Sequence, residues 1–286
     1  MPETTLYQRS NNYIPRIAAV HDMCGYGNCS LTAAIPVLSA AGIDVLPVPT
    51  ALFSSHTLYE DFVMLDTTDF LWNYLEMWKK IKVDLDGVYS GFLGSAQQVE
   101  IIQSLYKSYD HALRLVDPVM GDAGKMYPTY TQEMVDATKG LVKDADLLMP
   151  NLTEASLLTE LEYKGQEISD DEVKVYMDAL LEMGAKNVII KGIVRDKQII
   201  NFVQSANSEL QKAPHKAHDF YIHGTGDLFA SSAIAAIYAG KSVLEAAQFA
   251  GNLVYEAMIE TKDQPEYDMR GVSHEKSLHL LVDLLK

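Results

Sequence analysis

The strongest constraint on this chain is a repeating order: short apolar runs of strand length alternate with longer stretches of helical pattern. Ile17–Val20, Asp44–Val48, Asp86–Tyr89, Leu113–Val116, Asp146–Met149 and Asn187–Lys191 read as strands, each separated from the next by enough residues for a helix. That order is the signature of a mostly parallel sheet covered by helices on both faces, because parallel neighbours need a long crossover. Ser169-Asp170-Asp171-Glu172 has capping-box spacing, so a helix is expected from Ser169 to Gly184. After Lys191 the pattern changes: Gly192–Asp196 reads as a turn into Gln198–Val203, an antiparallel addition toward one edge. The sequence therefore predicts an α/β fold with three layers, antiparallel strands toward one edge, and little or no separate lid. No Pro/Ser/Gly linker or charge block divides the 286 residues, and a flexible tail over 1–13 followed by a single domain over 14–286 is expected.

In such sheets ligands gather outside the carboxyl ends of the strands, so the residues that follow each strand are the ones to inspect. His21-Asp22, Ser90-Gly91-Phe92, Asp117-Pro118, Pro150-Asn151 and Lys191-Gly192 fall there. The most informative stretch lies beyond them, in His223-Gly224-Thr225-Gly226-Asp227-Leu228-Phe229, which opens an apolar helix that runs to Tyr238 and ends at Gly240. The first N–H groups of a helix have no intrahelical partner and the macrodipole draws anions to that end. Gly224 and Gly226 let main chain approach a ligand, and Asp227 in the first turn is placed to accept a proton from a substrate hydroxyl. The helix dipole is expected to hold Asp227 in its charged form. This is the chemistry of a phosphoryl-transfer site. The carboxylates of Asp117, Asp122 and Glu154 should reach the same rim, and oxygen donors of that kind suit Mg²⁺.

The net charge of −16 repels polyanions, so neither nucleic acid nor an anionic membrane surface is an expected partner. Cys24 and Cys29 match neither a CxxC pair nor a zinc knuckle, and the longest apolar stretch, 228–239, is too short to cross a bilayer. A soluble, cytoplasmic protein is expected. Two decoys fall away: Gly240-Lys241-Ser242 closes a helix where a P-loop would open one, and Gly25-Tyr26-Gly27 lacks both the third glycine of a dinucleotide fingerprint, where Ser30 stands, and the acid after the next strand. Trp72 and Trp78, with Leu71 and Leu75, read as core or interface packing; His215 and His218 belong to a segment that could act as a flap.

Five ordered motifs extend this reading: His21–Asn28, Phe53–Thr57, Asp117–Asp122, Pro150–Ala155 and Gly224–Phe229. Over nearly the whole chain from Ile17 they resemble the ribokinase-like superfamily, most closely the pyridoxal (vitamin B6) kinases. The resemblance implies an ATP-dependent kinase acting on the hydroxymethyl group of pyridoxal, pyridoxine or pyridoxamine. It implies Asp227 as catalytic base with Gly224, Thr225 and Gly226 as anion hole, and Asp117 and Glu154 organising Mg²⁺. It implies Asp122, Tyr127, Asn151 and Lys191 on the nucleotide side, and His56, Thr57 and Phe92 lining the vitamer pocket. A homodimer is expected on the same ground, and a monovalent cation such as K⁺ stays open. The first turn departs from many pyridoxal kinases, with Val20 before His21 and then Asp22. Asp22 instead resembles the substrate-binding acid of hydroxymethylpyrimidine kinases, and could pair with a pyridinium nitrogen or a ring hydroxyl. That kinase activity, and a non-catalytic B6-binding regulatory protein, are the alternatives.

Overall fold

The structure, a computed structural model, describes residues 4–286 except 11 and 207. In chain order its strands are β1 (Arg16–Cys24), β2 (Asp44–Phe53), β3 (Met64–Asp66), β4 (Gly87–Ser90), β5 (Leu113–Val116), β6 (Gly121–Asp122), β7 (Lys125–Met126), β8 (Leu147–Leu148), β9 (Asn187–Arg195), β10 (Gln198–Ser205) and β11 (Gln211–Lys216). The principal helices are α1 (Ser30–Ala40), α2 (Thr68–Lys80), α3 (Ala96–Ser108), α4 (Gln132–Val142), α5 (Leu152–Thr159), α6 (Asp170–Glu182), α7 (Thr225–Tyr238) and α8 (Val243–Thr261).

Nine strands form one sheet in the order β11-β10-β9-β8-β5-β4-β1-β2-β3, and β6 with β7 makes a separate two-stranded ribbon. From β2 to β9 the pairings are all parallel, which bears out the predicted architecture. Antiparallel strands close the sheet at both edges: β10 and β11 beyond β9, and β3 beyond β2. The expected turn at Gly192–Asp196 is shorter than that, since β9 continues to Arg195 before reversing into β10. β3 escaped the reading because three exposed residues carry no alternation.

The strands are apolar throughout because both faces are covered. Successive residues point to opposite faces. Ala18, Val20, Val88, Val116, Leu148 and Val188 pack in the core that holds buried residues of α2, α3, α4, α5 and α6. Ile17, Tyr89, Leu115, Leu147 and Ile189 pack in the core with α1, α7 and α8. Among the described residues no helix is long and apolar enough to cross a membrane.

Residues 4–10, read from sequence as part of a flexible tail over 1–13, are docked. Thr5 bridges Ser242, Tyr7 lies 4.4 Å from the Tyr238 ring, and Arg9 donates to the Ala41 and Gly42 carbonyls at 2.9 and 2.7 Å. Residues 1–3 and 11 of that tail lie outside the described residues.

Candidate functional site

The site stands at the carboxyl ends of β1, β4, β5 and β8 and beside Lys191 midway along β9, where the start of α7 meets them. Gly224 is the N-cap of α7 at φ +77°, and a Cβ there would lie 2.4 Å from the Asn28 carbonyl oxygen, so the turn admits only glycine. The first bond within the helix runs from the Leu228 N–H to the Gly224 carbonyl at 3.1 Å. The N–H groups of Thr225, Gly226 and Asp227 precede it and meet no acceptor among the described residues, which suits an anion. Asp227 Oδ2 accepts from the Ser30 N–H at 3.0 Å.

The dipole expectation for Asp227 fails. Burial pushes its carboxyl up to about 7, Asp117 and Asp22 add to the rise, and the Ser30 N–H and Lys191 oppose it. Loss of hydration and two like charges outweigh a helix terminus, whose effect is small by comparison.

Asp117, at the end of β5, is fully buried and pairs one oxygen with the Lys191 ammonium. Its Oδ2 has no hydrogen-bond partner among the described residues. Burial raises the Asp117 carboxyl, against the pull of Lys191. Glu154 is the third residue of a capping box on α5: its Oε2 accepts from the Asn151 N–H at 2.7 Å, and Asn151 Oδ1 accepts from the Glu154 N–H at 2.9 Å. Burial pushes Glu154 up to about 8. For Lys191 burial works against the charge, and Asp117 and Glu154 overcome it and raise the pKa.

No group of three or more His, Cys, Asp and Glu is arranged around a metal among the described residues. What exists is a two-carboxylate rim with one buried oxygen lacking a donor, which fits a hard divalent cation that keeps most of its waters.

Asn151 spends its side chain on structure: besides the cap, its Nδ2 donates to the Gly121 carbonyl at 2.8 Å and so holds the β6–β7 ribbon to α5. Asp122 on that ribbon is exposed and accepts from the Tyr221 hydroxyl at 3.1 Å. Tyr127, anchored by its N–H on the Met120 carbonyl, has its hydroxyl pKa raised by burial and by Glu154 and Asp122 nearby. The ribbon thus reaches the segment leading into α7, and these predicted residues share one rim.

At the other side stands β1. It runs two residues past Asp22, with a register shift against β2 between His21 and Met23. Asp22 is buried and its Oδ1 accepts from the Ser30 hydroxyl at 2.5 Å; burial pushes its carboxyl up to about 6 against that bond. His21 points away into the interior, edge-on to Tyr89 at 4.4 Å, where burial drives its pKa down to about 3. A Cβ on Gly91 would sit 1.8 Å from the His21 ring, so Gly91 leaves room for this imidazole.

Phe92 is half-buried and packs edge-on to Phe53 at 5.9 Å. His56 lies 5.6 Å from His223, and burial lowers its pKa to about 4. Thr57, next to it, is exposed. The flap expected at His215 and His218 takes a different form: His215 is a buried residue of β11, and His218 stacks flat on Tyr255 at 4.2 Å. Trp78 packs against the core, while Trp72 is partly exposed.

Sequence reasoning missed three groups. Ser30 figured only as a missing glycine. Tyr221 gave no signal, and His223 opened the glycine motif without a role, because Asp122 and His56, their neighbours, are distant in sequence. Glu266 accepts from both the Tyr26 and Tyr59 hydroxyls, at 3.0 and 3.1 Å, and Arg270 lies over the Tyr26 ring, so the Tyr267–Arg270 helical turn clasps the first-turn loop from outside.

The sequence profile of the phosphomethylpyrimidine kinase family matches residues 27–270. A pyridoxal kinase PdxY of Histophilus somni is 31% identical over 271 residues, covering 88% of this chain and 91% of its own length. A crystal structure from Bacteroides thetaiotaomicron, of a protein provisionally described as a phosphomethylpyrimidine kinase and containing pyridoxal, superposes with a TM-score of 0.89 at 34% identity, over 94% of this chain and 96% of that one. Pyridoxal kinase from Lactobacillus plantarum superposes with a TM-score of 0.89 at 28% identity, over 95% and 98%.

Proposed function

The chain belongs to the phosphomethylpyrimidine kinase family, and from that premise we propose that it is a pyridoxal kinase, moving the γ-phosphoryl of ATP to the hydroxymethyl oxygen of a B6 vitamer. One observation carries the reading: the open N–H groups at the start of α7 and the Asp227 carboxylate stand together at the cleft shared by Asp117, Glu154 and Lys191. The relative crystallised with pyridoxal favours a vitamer over hydroxymethylpyrimidine.

Asp227 orients the acceptor hydroxyl and takes its proton, while Gly224, Thr225 and Gly226 hold the transferring phosphoryl by main-chain N–H groups. Lys191, whose Nζ is 3.7 Å from the position of a Cβ on Gly226, neutralises phosphate charge beside that turn. Asp117 and Glu154 would hold Mg²⁺, and Asp122 and Tyr127 approach the nucleotide phosphates from the ribbon. Bound there, Mg²⁺ would screen the charge of the triphosphate. Asn151 serves the nucleotide side by fixing the ribbon. Asp22 pairs with the ring nitrogen or hydroxyl, with His56, Thr57 and Phe92 lining the rest of the vitamer pocket.

Exposed Val63, Leu65, Phe70, Met77 and Ile81 on the β3 edge and the outer face of α2 support a homodimer. Free Cys24 and Cys29 fit a reducing, cytoplasmic setting.

The test is ADP release with pyridoxal, pyridoxine, pyridoxamine and hydroxymethylpyrimidine, with and without Mg²⁺ and K⁺. Turnover with a vitamer is expected. Asp227→Asn should keep calorimetric binding of both substrates and lose roughly two to four orders of magnitude in kcat. Vitamer binding without ADP release in the parent protein would establish the regulatory alternative.

A further inference from the structure

One residue of the first turn reaches two of the acids of the cleft. Ser30 is buried at the start of α1 and holds φ at +51°, a left-handed conformation that costs a serine energy. Its N–H donates to Asp227 Oδ2 at 3.0 Å and its hydroxyl donates to Asp22 Oδ1 at 2.5 Å. Each bond engages one oxygen of its carboxylate.

The unusual φ is what permits both bonds at once. Rotation about N–Cα sets the direction of the side chain relative to the N–H. With the N–H held on Asp227, a change to the ordinary helical value would swing the Cβ by roughly 110° and carry the hydroxyl off Asp22. The register shift of β1 against β2 falls at Asp22.

We propose that Ser30 is a positioning residue that gauges the substrate between Asp22 and Asp227, so that a vitamer held at its ring by one carboxylate presents its hydroxymethyl oxygen to the other. This rests on the roles proposed above for those two acids. Ser30 touches neither substrate in this arrangement and acts through the carboxylates.

Ser30→Gly and Ser30→Ala, compared with Asp227→Asn, test it. Glycine accepts the left-handed backbone and keeps the N–H, so its melting temperature should stay near that of the parent. Both Ser30 variants should raise KM for pyridoxal about tenfold, the effect of losing a hydrogen bond to a charged group, and leave KM for ATP unchanged. The hydroxyl bond favours the ionised form of Asp22, so its loss should make the pyridoxal KM recover as pH rises above neutral. The titratable groups facing Asp22 are Asp227 from α7 and the Cys24 and Cys29 thiols of its own loop, and the variants alter none of them. Parent-like KM for pyridoxal in Ser30→Gly, with Asp227→Asn inactive, would overturn the ruler and leave the kinase site intact. A rise in both KM values with a lower melting temperature would reduce Ser30 to a structural role and also overturn it. An active Asp227→Asn would sink the site reading itself.

Discussion

Lys191 is the residue on which the charge balance of the cleft turns. Asp117, Glu154 and Asp227 converge there, and it is the buried ammonium placed against them among the described residues. Removing one partner of a buried pair leaves the other uncompensated, so Lys191→Met should lower unfolding free energy by about 3 kcal/mol in urea titrations and raise KM for ATP. Asp227 supplies a second expectation. It acts as a base only when ionised, so kcat/KM should climb with pH through a midpoint at or below about 7, lower when a divalent cation sits by Asp117. A flat profile between pH 5.5 and 8 would remove Asp227 as the titrating base. The motif letters pointed to Asp117 and Glu154 at one rim and to Asp227 at a helix start, because these follow strand ends or open a helix, whereas Lys191 lies within β9, which runs on past the expected strand end. They could not reveal the raised pKa of Asp227, which depends on hydration and on charges brought in from other elements. Ser30 was invisible for a different reason: its importance lies in a dihedral angle, and serine gives no sign of one.

At the scale of elements, the legible parts were those whose ends carry a mechanism. The α6 start at Ser169 shows the capping box expected there, with the Ser169 hydroxyl accepting from the Glu172 N–H at 3.3 Å. The α5 box was less obvious, because Asn151 and Glu154 read as ligand residues and serve as the cap as well. Asn151→Ala should therefore cost about 1 kcal/mol of stability through the cap. Loss of its bond to the Gly121 carbonyl should also loosen the β6–β7 ribbon, raising KM for ATP more than KM for pyridoxal. Equal effects on both substrates would argue against the ribbon as a nucleotide-side element. The ribbon itself, like β3, was hidden from pattern reading: strands of two or three residues have no period to detect.

For the whole molecule, the buried acids set how stability follows pH. Asp22, Asp227 and Glu154 have native values near 6, 7 and 8, above their ordinary 3.8, 3.8 and 4.5. The native state thus binds protons more readily than the unfolded one, and this contribution is complete below about 4 and lost as pH rises through 6 to 8. His21 runs the other way: its native value near 3 lies below 6.5, so its contribution is present above 6.5 and lost on acidification. Thermal melts of the ligand-free protein should show decreasing stability from pH 6 to 8.5, and Mg·ADP should restore more at pH 8.5 than at pH 6. Ligand-free melting that rises across that range would contradict the burial described for these carboxylates. The apolar β3 edge makes a separate expectation at this scale: Val63→Asp with Leu65→Asp should convert a dimer to a monomer in light scattering, without unfolding it.

The amino-terminal clip gives the molecule a handle on its cleft from behind. Arg9 grips the carbonyls just past the last turn of α1, about 16 Å of helix from the serine that opens it. A bulky fusion ahead of residue 4 would tug on the far end of that rod, and an exopeptidase trimming past Arg9 would let it go.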